Sequence, residues 1–198
     1  AVNDAPVASG SATLTAIDED TTNPSGATVS SLFSSNFSDS TDTVSGGSSA
    51  NTLAGIAITS YTRDATKGEW QYSTNGSSWT TISSSISAAS SSLTFKSTDY
   101  LRFLPAANWN GSAPTLTVAL IDSSTTVTTN ATVDVSTRGG TTAYSSSTVT
   151  LSNTVNAVND APVASGSATL TAIDEDTTNP SGATVSSLFS SNFSDSTD

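Results

Sequence analysis

Apolar and polar residues alternate with a period of two along most of this chain, which predicts strands rather than helices. SATLTAI (11–17) alternates from its first residue, and Ala12, Leu14 and Ala16 are expected on the core side with Thr13 and Thr15 outside. LAGIAITSYT (53–62) and GEWQYST (68–74) read as paired strands, Trp70 and Tyr72 on one face and Glu69 and Gln71 on the other. Asn75-Gly76 supplies the residues of a tight hairpin turn, after which SWTTI (78–82) returns. SLTF (92–95), DYLRFLP (99–105), TLTVALID (115–122), NATVDV (130–135) and STVTLSNTVNAV (147–158) continue the pattern, with Leu116, Val118 and Leu120 pointing inward. One stretch breaks the period: ATVSSLFSSNF has Val29, Leu32, Phe33 and Phe37 at helical spacing and predicts a single short helix. Short strands separated by turn signals predict an all-β, antiparallel sandwich.

An internal repeat dominates the organisation. Residues 1–42 recur unchanged as residues 157–198, a period of 156. The chain therefore reads as one whole repeat, 1–156, followed by the first part of the next, 157–198, with the copies meeting near residues 156–161. Three readings of 157–198 stay open. The segment completes a site at the junction; or it is partly disordered or swaps into another molecule; or it serves as the first strand of an offset unit and leaves 1–42 spare.

Composition narrows the chemistry. The 198 residues include 41 serines and 35 threonines but no Cys, His or Met. Without His or Cys there is no Cys/His zinc site, no haem or iron-sulfur ligand set and no Ser-His-Asp or Cys-His dyad, and without Cys no disulfide framework. An enzyme is not expected, and a catalytic reading of Asp18 and Asp20 as a glycosidase pair is weak in a repeated loop. The net charge of -12 disfavours nucleic acid and anionic membranes and favours cations. That charge is unevenly placed: each 42-residue copy carries six acids and no base, whereas residues 43–156 carry five of each. Acids clustered as Asp-Glu-Asp and Asp-x-x-Asp, beside Asn and without a basic partner, suit a hard cation such as Ca2+, which takes about 6–8 oxygen ligands. The rival reading is a merely soluble surface.

Four segments in order carry a family resemblance: VNDAPV at the junction, GEWQYSTNGSSW, LRFLPAANWNGSAPTLTVALID, and RGGTTAYSS before the last strand. Together they resemble the cadherin-like tandem repeats of giant bacterial RTX-type surface adhesins. The resemblance spans the whole repeat. It implies an Ig/cadherin-like β-sandwich with one short helix, extracellular on a bacterial cell surface, monomeric, with identical repeats in tandem as its neighbours and Ca2+ between modules. The implied role is an extender that projects an adhesive tip; the alternative is a module that itself binds a carbohydrate or a partner cell. The more distant animal cadherins supply a ligand map. Glu19 takes the place of the Glu that ends the first strand, with Asp20 beside it, and Asp99 that of the acid before a middle strand. Asn159 and Asp160 form the linker pair, and Asp195 and Asp198 the last motif. The chain departs from that pattern in the Asp-x-x-Asp spacing, in a linker without the second Asn, and in Asp99-Tyr100 without a following Glu.

Other residues admit plainer readings. Trp70, Trp79, Trp109, Tyr72 and Phe103 could form a sugar platform but read better as core. Asp122 and Asp134 are extra Ca2+ ligands or turn acids, and the turn reading is stronger for Asp134. Arg102 is expected to pair with an acid across the sheet. The Thr13-x-Thr15 and Thr115-x-Thr117 pairs read as ordinary outward strand faces rather than an ice-binding rank.

Overall fold

The structure, a computed structural model, describes residues 2–196. The chain separates into two compact units, residues 1–157 and 158–198.

The first unit begins with β1 (Val7–Ala8), β2 (Ser11–Thr13), β3 (Ile17–Asp18), β4 (Ala27–Thr28), helix α1 (Val29–Phe33) and β5 (Phe37–Ser38). The predicted helix forms, and the hydroxyl of Thr28 caps it by accepting a hydrogen bond from the Ser31 amide at 3.1 Å. It is brief because serines follow, and residues 34–36 tighten into a 3-10 turn. Then come β6 (Leu53–Tyr61), β7 (Gly68–Ser73), β8 (Thr80–Thr81), β9 (Ser92–Lys96), β10 (Tyr100–Pro105), β11 (Gly111–Ser112), β12 (Leu116–Asp122), β13 (Ala131–Val133), β14 (Val149–Ser152) and β15 (Thr154–Asn156).

A six-stranded sheet runs β13-β9-β6-β12-β14-β2 and a four-stranded one β4-β10-β7-β8; β11-β15-β3 and β1-β5 make smaller sheets. The fold is all-β apart from its short helical turns. Side chains of the two larger sheets enter one core: Ile56, Ile58, Leu116, Val118, Leu120 and Leu151 from the first, Trp70, Leu101 and Phe103 from the second, with Val29 and Phe33 of α1. Leu116, Val118 and Leu120 thus point inward as their alternation predicts. Trp70 and Phe103 meet edge to face at 5.6 Å, and the Trp70 indole donates to the Pro114 carbonyl at 2.6 Å. The opposite face of the six-stranded sheet is buried too. Ala57 and Ile121 pack there against Val127, Val135 and Ala143 from the long segment after β12.

Several expectations need correction. β6 and β7 do not pair: β6 lies between β9 and β12, and β7 between β10 and β8. Each strand satisfies its ladder in its own sheet while its apolar side faces the shared core, and alternation looks the same in either arrangement. Nor is the pairing wholly antiparallel, since β2 runs parallel to β14 and β3 to β15. The 139 residues separating Leu14 from Asn153 impose no hairpin, so parallel pairing is open to them. Ala16 is exposed because β2 stops at Thr13, before the alternation ends. Gly76 has φ of +72°, yet the β7–β8 loop is wider than a tight turn because Asn75 Oδ1 accepts from the amides of Ser77 and Ser78.

The second unit keeps only what is local. β16 (Val163–Ala164), α2 (Val185–Phe189) and β17 (Phe193–Ser194) reproduce β1, α1 and β5, and β16 pairs with β17 in the register of β1 with β5.

Candidate acidic sites at the two ends of the first unit

Strand direction assigns the acids to ends. β12 pairs antiparallel with β14 through Leu116↔Leu151 and Val118↔Val149, so Asp122, the last residue of β12, lies beyond the start of β14. Asn156, the last residue of β15, lies at the other end, opposite Asp18 of β3.

At the Asp122 end three carboxylates are buried: Asp39 is 3% exposed, Asp42 5% and Asp122 0%. Two asparagines knit them together. Asn51 donates its amide N–H to Asp39 Oδ2 at 2.7 Å and its side-chain Nδ2 to Asp42 Oδ2 at 3.0 Å and to Asn3 Oδ1 at 2.8 Å. Asn3 Nδ2 donates to Asp122 Oδ2 at 3.3 Å and to the Thr142 carbonyl at 3.2 Å. The Asp4 amide donates to Asp42 Oδ1 at 2.8 Å, and Asp122 Oδ1 accepts from the Ser124 amide. The other Asp39 oxygen, Oδ1, is buried without a hydrogen-bond partner. Among the described residues no Lys or Arg forms an ion pair with these three acids. Burial foremost, then the charges of Asp42 and Asp122, hold the Asp39 carboxyl above the ordinary carboxylate range, against the lowering effect of the Asn51 amide. A buried carboxylate with a spare oxygen among like charges is an expensive arrangement for the metal-free protein.

At the Asn156 end the acidic loop is braced rather than massed. The Glu19 amide donates to the Asn156 carbonyl at 2.9 Å, and buried Glu19 Oε2 accepts from Asn110 Nδ2 at 3.3 Å. Asp18 accepts from Asn156 Nδ2 at 3.0 Å. Exposed Asp20, at φ +61°, accepts from the Asn108 amide at 3.0 Å. Non-glycine residues seldom hold that φ, and Asp tolerates it better than most.

Glu19 and Asp20 therefore share an end, but Asp99 does not join them. Lys96 pairs with Gly55 at the Asp122 end of the sheet, and Asp99 sits in the turn that follows. Its Oδ2 accepts from the Lys96 amide at 2.8 Å and the Thr129 hydroxyl at 2.6 Å, closing the turn between β9 and β10. In the second unit Asn159 is exposed and donates to the Asp160 carbonyl at 2.8 Å, and Asp195 is exposed. Asp198 lies outside the described residues. The counterparts of Asn159, Asp160, Asp195 and Asp198 in the first copy are Asn3, Asp4, Asp39 and Asp42, all within the knitted end. Sequence identity already implied that these positions carry the same chemistry in both copies; only Asn51 gave no signal, being a lone Asn in a Ser-rich loop.

Arg102 makes no ion pair among the described residues. Its Nε donates to Gln71 Oε1 at 2.8 Å, its Nη1 to Asn23 Oδ1 at 2.7 Å and the Pro24 carbonyl at 2.8 Å, and the guanidinium lies 4.2 Å over the Trp79 ring. Trp70 and Phe103 are fully buried, and Trp109 and Tyr72 pack on the core, as the core reading requires, whereas Trp79 is only partly buried, belongs to neither core cluster and lies under the Arg102 guanidinium instead.

Comparison with protein families, curated proteins and solved structures returns no match. Among the described residues no group of three or more His, Cys, Asp or Glu side chains is placed to hold a metal ion; the carboxylates of Asp122 and Asp42 are bonded to the amides of Asn3 and Asn51. The donor types nevertheless fit a hard cation: three carboxylates, two amide side chains able to present oxygen after a half-turn, and no competing base in hydrogen-bond contact. No helix among the described residues is long and apolar enough to cross a membrane.

Proposed function

We propose that the chain is a calcium-stiffened extender repeat of a secreted bacterial adhesin, an Ig/cadherin-like sandwich that projects an adhesive tip from the cell surface. The observation that carries this reading is the buried Asp39–Asp42–Asp122 group knitted by Asn3 and Asn51, with Asp39 Oδ1 unpaired. Ca2+ would supply the positive charge that offsets these carboxylates and would accept their oxygens as ligands. Asp39, Asp42 and Asp122 would hold it, with Asn3 and Asn51 turned to offer their carbonyl oxygens.

The mechanical consequence follows from where the site's residues sit in the chain. Asn3 and Asp4 belong to the VNDAPV linker, whereas Asp42, Asn51 and Asp122 belong to the body of the module, so an ion at this end pins the linker to the module that follows it. Each repeat's last strand ends at Asn156, three residues before the next Asn-Asp pair, and Asn156 is already fastened to Asp18 and Glu19. A linker held from both sides is short and stiff. Repetition suits spacing more than recognition, and the buried state of Trp70 and Phe103 removes two faces a sugar would need.

Thermal melts of the full chain in EGTA, Ca2+ and Mg2+ test this. A Ca2+-selective rise in Tm, lost in Asp122→Asn, is expected; melts that coincide in EGTA and in about 1 mM Ca2+, the range of weak extracellular sites, would overturn it.

A further inference from the structure

Asn-Gly occurs twice in the chain, at Asn75-Gly76 and at Asn110-Gly111, and the fold treats the two pairs differently. In this pair the side-chain amide of asparagine is open to attack by the next main-chain nitrogen, because glycine carries no side chain to shield it. Whether the attack is helped or hindered depends on what holds the reacting atoms.

At Asn75-Gly76, in the loop between β7 and β8, one hydroxyl serves both partners. Ser73 is 2% exposed, and its Oγ accepts the Gly76 N–H at 2.9 Å and the Asn75 N–H at 3.2 Å while donating its own proton to Asn75 Oδ1 at 3.0 Å. The same Oδ1 accepts from the amides of Ser77 and Ser78, both at 2.9 Å. The proton that the nucleophilic nitrogen must lose is therefore already held by the group that offers a proton to the carbonyl under attack. Three donors converge on the oxygen where negative charge would develop, which is how an oxyanion is stabilised and a proton relayed. The departing nitrogen is free to leave, since Asn75 is exposed and its Nδ2 makes no hydrogen bond among the described residues.

Asn110-Gly111 is held the opposite way. Asn110 Nδ2 donates to Glu19 Oε2 at 3.3 Å, and Gly111 belongs to β11, opposite Val155. Its leaving group is tied and its nucleophile sits in a paired strand.

We propose that the β7–β8 turn is a self-modifying site, at which Asn75 deamidates through a cyclic imide with Ser73 as the proton relay and water as the only co-reactant. The Gly76 nitrogen bonds to Asn75 Cγ as its proton passes to Ser73 Oγ and the Ser73 proton passes to Oδ1. The carbonyl then re-forms, that proton moves to Nδ2, the Cγ–Nδ2 bond breaks and ammonia leaves; Ser73 ends with one proton, as it began. Water opens the imide at either carbonyl and returns a proton to the Gly76 nitrogen, leaving aspartate or isoaspartate at position 75. Nothing is oxidised or reduced. Either product adds one negative charge to the turn, and isoaspartate also lengthens the main chain there by one methylene, beside the two-residue edge strand β8.

The test is to age the full chain at neutral pH and 37 °C, folded in buffer and unfolded in guanidinium, and to follow both Asn-Gly sites by peptide mass mapping. The unfolded chain supplies the rate of each site without the fold. Asn75 should convert at least about tenfold faster folded than unfolded, and Asn110 should convert more slowly folded than unfolded. Ser73→Ala, with its fold checked by thermal melting, should slow folded Asn75 about tenfold or more, and Ser73→Thr, which keeps a hydroxyl, should retain much of the rate. A folded Asn75 that converts no faster than the unfolded one would mean that the turn only locks the side chain, and would overturn the proposal. So would a Ser73→Ala variant that folds and deamidates as fast as wild type.

Discussion

Asn51 donates its side-chain amide to the Asn3 carbonyl oxygen at 2.8 Å across 48 positions of sequence, and the same nitrogen serves Asp42. One side chain thus joins the linker to the body of the module. Asn51→Leu would leave Asn3 Oδ1 and Asp42 Oδ2 each short of a donor, and we expect a loss of about 1–3 kcal/mol. Hydrogen exchange should show where that loss falls. The Asp4 amide, bonded to Asp42, should exchange faster in the variant while amides of β6 and β12 slow or quicken only with global stability. A uniform change along the chain would mean that Asn51 contributes to the core and not to the linker.

Asp39 makes an unusual pH prediction. Its folded pKa lies above the ordinary aspartate value of 3.8, with burial as the main cause. In the window between those two values the native state binds more protons than the unfolded state, so this group's contribution falls as pH rises through the window. Above it the cost of the ionised form is complete. Asp64 and Asp134, both lowered chiefly by a hydroxyl bond, from Thr66 and Ser136, act in the opposite sense: their contribution is present above the unfolded value and fades as pH falls. A comparison of wild type with Asp39→Asn isolates the first effect. In EGTA at neutral pH the variant should melt higher than wild type, and the gap should close as pH drops below 3.8. If Ca2+ binds as proposed, the order should reverse in saturating Ca2+, because the variant would lose one of the proposed ligands.

The repeat, the short helix and the inward faces of β7, β10 and β12 were legible in the sequence because each is a local pattern. Trp70, Leu116, Val118 and Leu120 could be placed inward from alternation alone, and Val29, Leu32 and Phe33 on the helix from their spacing, which carried one turn too far in Phe37, a residue of β5. Sheet membership was not legible. β6 and β7 alternate as a hairpin would, and nothing local says that they enter different sheets. The same gap separated Glu19 from Asp99, since their ends depend on the direction of strands far apart in the chain. The Asp39 and Asp42 positions were within reach. Their copies Asp195 and Asp198 drew attention at the junction, and identity carries that chemistry back to the first copy, where the body that buries it is present.

Gly55 tests how tightly β6 is held. A Cβ at this position would run into the Phe95 carbonyl oxygen and come within 3.1 Å of Val127, on a strand hydrogen-bonded on both sides. Gly55→Ala should therefore destabilise by about 1–3 kcal/mol as an overpacked site, although alanine is the smallest side chain that could be added. Urea unfolding checks this. A variant as stable as wild type would show that β6 and β9 can part at this register.

Arg102 fastens the loop before β4 to the four-stranded sheet. It is 6% exposed, its pKa is lowered by burial, and no carboxylate offsets that cost among the described residues. Neutral oxygens accept its hydrogen bonds instead: Gln71 on β7 takes Nε, while Asn23 and the Pro24 carbonyl take Nη1, so the guanidinium bridges β7 to residues 23–24. Lysine keeps the charge but cannot serve both sides of the fork or stack on Trp79 as a plane. Arg102→Lys should cost about 1–3 kcal/mol and Arg102→Ala somewhat more, since alanine also removes the packing on Trp79. Denaturant curves followed by tryptophan emission check the size. The location is checked by hydrogen exchange, in which the β4 amides paired with β10 should exchange faster in Arg102→Lys while those of β6 and β12 change only with global stability. A uniform change along the first unit would mean that Arg102 supports the core as a whole and not the 23–24 loop.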